Sequence, residues 1–180
     1  MDNSPINSMK RLLPAMAIML LSLLPLALAA RAQAPATPAA GDIKDLKQIP
    51  VELPHDILLG LGNIATKEAS ATKATDVLQQ KIVGRVATLK FKIDKIEKDL
   101  RAQQGQDAYR IKADDAHVRE GAVNFKVFVW VHFGVSENAK IAALKKGDAI
   151  DATGKITVAS VGIQNGSPTI LVDLAGATVN

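Results

Sequence analysis

The chain of 180 residues has no cysteine, few aromatic residues (one Trp, one Tyr and four Phe) and a formal charge of only +4. Each shortage removes a class of protein. Without cysteine there is no disulfide framework, no thiolate metal site, no cysteine nucleophile and no lipid-modified N-terminal cysteine. A domain built from such a chain is held by its apolar core alone. The charge is too small to argue for nucleic acid by itself, and 3% aromatic content leaves little for base stacking. Catalytic signatures are missing as well. His55, His117 and His132 are scattered, and no G-x-S-x-G elbow, H-E-x-x-H pair or D-x-D-x-D-G loop occurs. The residues point to a protein that is not an enzyme and needs no cofactor.

What is present begins with a targeting pattern. Lys10 and Arg11 precede an apolar run from Leu12 to Leu28 that ends in small residues suited to signal-peptide cleavage. Ala30-Arg31-Ala32 is the preferred site and Ala27-Leu28-Ala29 the alternative. The length of the run leaves an uncleaved anchor as the other reading, although Pro14 and Pro25 favour cleavage. Residues 1–32 are therefore read as a signal peptide and the protein as periplasmic or secreted, with no stable membrane anchor after cleavage. Loss of Lys10, Arg11, Arg31 and Asp2 with the signal lowers the net charge by two. The remaining chain, about 150 residues, suits one domain that buries about two thirds of its unfolded-chain surface.

Residues 33–54 read as a Pro/Ala-rich tether followed by an extended segment. Gln33 to Gly41 has no periodic apolar pattern. Beyond it, Pro50 and Pro54 oppose a continuous helix, and Ile49, Val51 and Leu53 alternate as in an extended chain. The folded domain is expected over 55–180. Thr66 to Lys81 has helical spacing. Gly60-Leu61-Gly62-Asn63-Ile64-Ala65 matches G-x-G-x-x-A, but no repeating strand-helix-strand pattern surrounds it, so nucleotide binding there is rejected.

Five strands follow. Ile82 to Ile96 is the first, with Leu89, Phe91 and Ile93 alternating against Lys90, Lys92 and Asp94. Gly84 near its start suits a strand that bends. Tyr109, Ile111 and Ala113 mark a short second strand, and Asp114 to Gly121 reads as a turn. In the third, Val123 to Phe133, Val123, Phe125, Val127, Val129, Val131 and Phe133 share one face. Ser136 is expected to cap a short helix that Gly147 ends, with Lys145 and Lys146 at its negative end. Ile150 to Val158 is the fourth strand, and Asn165-Gly166 turns the chain into the fifth, Thr169 to Val179. A mainly β chain of five strands, with one helix before the first and one between the third and fourth, is the layout of the Greek-key barrel known as the oligonucleotide/oligosaccharide-binding (OB) fold.

From about Ala71 to Val179 the chain resembles the tRNA-anticodon-binding-like group of OB domains, particularly exported bacterial members with a helix before the first strand. The resemblance lies in DVLQQKIVGRVATLKFKIDKIEK and KKGDAIDATGKITVAS, which include Val83-Gly84-Arg85, Gly147-Asp148 and Gly154. It implies a barrel framework and carries over no catalytic residue. Fold alone assigns no ligand.

The candidate binding face is the side of the third strand opposite its core residues: Lys126, Phe128, Trp130 and His132. Arg110 and Lys112 of the second strand, and Lys90 and Lys92 of the first, are expected to join it. The chain is expected to be a binding or interaction module whose ligand the sequence does not name; rings beside cations suit stacking of bases or sugars with phosphate contacts, so nucleic acid, another polyanion or an oligosaccharide on this face is the alternative, with another envelope protein as a further partner. The preferred reading of the rings is that Phe128 and Trp130 are covered by the preceding helix or by residues 49–53. Asp114, Asp115, His117 and Glu120 supply oxygen and imidazole ligands in one loop, from which a metal-dependent hydrolase using Asp114, His117 and Glu120 is the remaining alternative. They lack any recognised ligand spacing, and a solvated turn is preferred, with no metal.

Overall fold

The computed structural model describes residues 41–99 and 108–180. The expected signal peptide and residues 33–40 of the expected tether lie outside them. Six strands form one sheet that closes on itself. β1 (Val86–Lys98) pairs antiparallel with β5 (Ala149–Gln164) through Val86 to Lys92, then with β2 (Tyr109–Ala113) through Ile93 to Lys98. β2 and β3 (Ala116–Glu120) both pair antiparallel with β4 (Val123–Phe133). β4 runs parallel to β6 (Ser167–Val179), and β6 returns antiparallel to β5. This is an OB-type barrel, with β2 and β3 together occupying the place of one strand.

The core follows from alternation. Val123, Phe125, Val127, Val129, Val131 and Phe133 are all buried. Burial of six such side chains on one strand contributes on the order of 10 kcal/mol, comparable with the net stability of a whole domain. Asn165 (φ 51°) and Gly166 (φ 76°) form the two-residue turn between the paired Gln164 and Ser167, the left-handed geometry a tight hairpin needs.

Before the barrel come three helices: α1 (Gln48–Val51), α2 (His55–Gly62) and α3 (Lys67–Ile82). α3 buries Ala71, Ala74, Leu78 and Ile82 on one face and packs against β5, where Thr75 Oγ1 accepts the Val161 N–H at 2.8 Å. Gly60 lies where α2 crosses α3, and a Cβ there would meet Ser70 Oγ at 2.1 Å. The G-x-G-x-x-A pattern is thus a helix-packing contact.

Several expectations need correction. Ile82 ends α3, and Gly84 (φ +93°) makes the turn before β1, so the first strand starts at Val86. The bend in β1 lies at a bulge between Ile93 and Lys95. Residues 49–53 do not run extended: α1 buries Ile49 and Pro50 and leaves Val51 exposed, and Leu53, just beyond the helix, is buried as well. Ile43 also joins the fold, bridging Ala87 of β1. Asp114 to Gly121 is not a single turn. Its alternation, with Val118 inward, makes β3, and the reversal falls after it at Gly121 (φ +57°). Ser136 does not cap a helix. It sits inside a 3₁₀ turn (Val135–Glu137) leading into α4 (Asn138–Ala142), which ends before Lys145 and Lys146. Buried Glu137 accepts the Val179 N–H at 3.0 Å and so fastens this turn to the end of β6.

Gly154 of β5 faces the C-terminal end of β6, where an added Cβ would lie 3.1 Å from Ala177 Cβ and 3.3 Å from Ala175 O. Gly154→Val is expected to lower stability by about 1–3 kcal/mol through overpacking. Gly162→Ala, with nothing within 4 Å, is expected to change it by less than about 0.5 kcal/mol. Urea unfolding midpoints of the two variants check both.

Candidate functional site

Two extra residues shape the outer face of the barrel. One is the bulge at Asp94 in β1. The other lies at Asp114-Asp115, because pairing slips by one residue between Lys112↔Trp130 and Ala116↔Val127. A bulge re-aims the side chains beside it. Here it brings a carboxylate from each strand among the cations of β2 and β4.

Asp115 bridges Lys112 (3.1 Å) and Lys126 (2.7 Å). Asp94 binds Lys112 (2.9 Å) and Lys146 (2.8 Å). Glu97, opposite Arg110 in the β1–β2 ladder, accepts from Arg110 Nη2 at 2.6 Å and Nε at 3.0 Å, and also pairs with Lys95. The cations so held lie over the rings: Arg110 Cζ is 4.3 Å from the centre of Trp130, and the Nζ atoms of Lys126 and Lys112 are 4.7 and 5.3 Å from that of Phe128. Both rings are half-buried, and these contacts combine cation–π attraction with fixed geometry. Beyond Phe128 a shallow groove of about 360 Å³ runs past Thr169 and Leu171 of β6, and a second of about 260 Å³ joins Lys126 to the β5–β6 turn at Gln164, Asn165 and Ser167.

The structure thus brings together Arg110, Lys112, Lys126, Phe128 and Trp130. His132 is on the same side of β4 but buried, with Nδ1 2.6 Å from Asp99 Oδ2 and Nε2 3.8 Å from Asp173 Oδ2. Its place is in the support of the face. Lys90 and Lys92 are exposed on the β5-paired half of β1, before the bend, and Lys90 lines a different cleft. Sequence reasoning missed Asp94 and Glu97 and read Asp115 as a loop ligand, not as the partner of Lys112 and Lys126; the signal is the mixed charge of KIDKIEK and ADDAHVRE.

The hydrolase constellation does not assemble. Asp114 precedes β3, its N–H bonded to Lys92 O at 2.8 Å, and β alternation directs His117 outward beside Lys126 while Val118 and Glu120 take the opposite phase. Among the described residues no three His, Asp or Glu side chains are grouped to hold a metal, and no helix is long and apolar enough to cross a membrane.

The pairing lowers the pKa of the carboxyls. Hydrogen bonds from Lys112 and then Lys146 pull Asp94 from 3.8 to about 2. Lys95 and Arg110 lower Glu97. Burial acts to raise Asp115, but hydrogen bonds from Lys126 and Lys112 prevail and lower it. Lys112 is raised mainly by its bond to Asp94. Because the folded value of Asp94 lies below the ordinary one, its contribution to stability is complete above pH 3.8 and fades as pH falls towards about 2. An NMR titration is expected to place the Asp94 carboxyl near 2, and Lys146→Gln to move it partway back. A wild-type midpoint at the ordinary carboxylate value would contradict the network.

Comparison with known proteins adds the following. The sequence matches no protein-family model and no curated relative. Among solved structures it is similar to a candidate nucleic acid-binding lipoprotein from Klebsiella pneumoniae, at 16% identity and a TM-score of 0.36, covering 69% of this chain and 87% of that one. It is also similar to a small single-stranded DNA-binding protein from Streptomyces coelicolor (12% identity, TM-score 0.34, 55% of this chain and 96% of that one). A third is the SSB of Plasmodium falciparum in complex with ssDNA (9% identity, TM-score 0.34, 53% of this chain and 93% of that one). The assignment of the barrel rests on its own strand pairing.

Proposed function

We propose that this chain is an exported OB-type binding module of the tRNA-anticodon-binding-like group, acting without catalysis, and that a single-stranded nucleic acid lies across β2 and β4. The observation that carries this reading is the pair of rings with cations over them, Trp130 under Arg110 and Phe128 under Lys112 and Lys126. They are flanked by the grooves at the β5–β6 turn, the position from which OB barrels engage chain ligands. Bases stack on such rings without sequence preference. Export is supported by the Lys10-Arg11 and Leu12 to Leu28 pattern.

A second reading is favoured by one specific feature. Every cation of the face is already matched by Asp94, Glu97 or Asp115, and the groove beside Lys126 offers the uncharged groups of Asn124, Gln164, Asn165, Ser167 and Thr169. A neutral oligosaccharide suits such a surface, with stacking on the rings and hydroxyls bound by amides.

Salt separates the two readings, since phosphate contacts release counterions and sugar contacts do not. Trp130 is the only tryptophan, so its fluorescence reports the face directly. Titration with oligothymidylate is expected to give a saturable, salt-sensitive change, and Phe128→Ala and Trp130→Ala each to weaken binding by about 1–3 kcal/mol, the usual worth of one stacked base, while the fold is kept. Response to neutral glycans alone would favour the second reading. Unfolding of the domain by the two substitutions together would make the rings structural and remove both.

A further inference from the structure

Between the first half of β1 and β3 no strand pairing runs among the described residues. The opening is a cleft of about 290 Å³, lined by Lys90 of β1, by β3 around His117, and by residues 44–47. Its charges differ in kind from those of the β2–β4 face. There each cation has a carboxylate. Here Lys44, Lys47 and Lys90 line one cleft, and among the described residues none of them has a carboxylate within ion-pair distance. The acid at the cleft is Asp45, whose Oδ1 accepts the Lys47 N–H at 2.9 Å. Three lysines against one carboxylate give the cleft a net positive lining, which raises the local potential and favours an anion.

The backbone that carries two of these lysines is fixed in place. Ile43 donates to Val86 O at 3.0 Å and accepts from the Thr88 N–H at 2.8 Å. Gln48 Oε1 accepts the N–H groups of Lys44 (2.7 Å) and Asp45 (3.1 Å). Arg85 binds Glu52 at 2.8 Å and the Gly41 carbonyl, so both ends of the segment are tied to the turn before β1. A preformed scaffold lowers the ordering cost of binding. His117 belongs also to the groove with Lys126 at the β5–β6 turn, so the cleft adjoins the candidate face at this residue.

We propose that this cleft is a phosphate subsite, with Lys44, Lys47 and Lys90 as the charge partners and His117 at its junction with the face. Taken as the seat of a phosphodiester from a strand crossing β4, the subsite rests on the nucleic-acid reading above. Taken as a site for a free phosphoryl anion, it does not. Either source presents the same oxygens to the same ammonium groups.

The test uses the whole protein and two probes, inorganic pyrophosphate and oligothymidylate. In an NMR titration at low salt, pyrophosphate is expected to shift the amides of residues 44–47 and Lys90 and the His117 ring in a saturable way. The triple variant Lys44→Gln, Lys47→Gln, Lys90→Gln is expected to lose that response and to reduce the salt slope of oligothymidylate binding by about 2, from 0.7 per lost phosphate contact. Lys73→Gln, on the exposed side of α3, is expected to leave both unchanged. Should the triple variant not fold, Lys90→Gln alone is expected to weaken the pyrophosphate response and lower the slope by about 0.7. Pyrophosphate saturating the cleft while no oligonucleotide binds would remove the nucleic-acid reading and keep the subsite for a free anion. Oligonucleotide binding with an unaltered slope in the triple variant, and no pyrophosphate shift in the wild type, would remove the subsite and keep the reading.

Discussion

The bend of β1 is the constraint on which the rest of the barrel depends. A sheet this small closes only if one strand serves two neighbours, and β1 gives its first half to β5 and its second to β2. The extra residue at Asp94 makes the change of direction. Its carboxylate then holds Lys112 from β2 and Lys146 from the link before β5. One bulge therefore closes the barrel and cross-links the strands that meet there.

The second extra residue, at Asp114-Asp115, does the same at the opposite edge of β2. It lets β2 leave β1 and continue as β3 along β4, and it aims Asp115 between Lys112 and Lys126. Two consequences follow from this departure. The cations beside Phe128 and Trp130 are held in place by carboxylates, which gives the face shape and order at the expense of free charge. The space vacated between β1 and β3 is taken up by residues 43–47, and the lysines there remain unmatched. Order and charge, which one binding surface would ordinarily combine, are thus divided between two adjoining regions.

Much of this fold was legible because short-range rules agree with it. The alternation of β4, the helical spacing of α3 and the Asn165-Gly166 turn each stand in the structure where local preference places them. Elements whose form depends on a distant partner were not legible. β3 has only five residues between two pairs of acidic or turn-forming residues, and its strand character comes from β4. α1 coils because Ile49 and Leu53 both find the core, against the extended alternation that Val51 suggests. Ser136 has capping chemistry, but it falls inside a 3₁₀ turn, and the helix that follows begins two residues later and ends at Ala142.

The candidate site divides in the same way. The period-two order of Lys126, Phe128, Trp130 and His132 determined by itself that these residues leave β4 on the side away from the core, since side chains in a strand alternate. Which of them meets solvent was decided only by tertiary structure. Asp99 and Asp173 enclose His132, while the bulge at Asp94 leaves Lys90 and Lys92 on the half of β1 paired with β5. Charge is the clearest case: the sequence counts lysines and aspartates, but only the register of β1, β2 and β4 determines which lysines are paired with a neighbouring carboxylate and which are not.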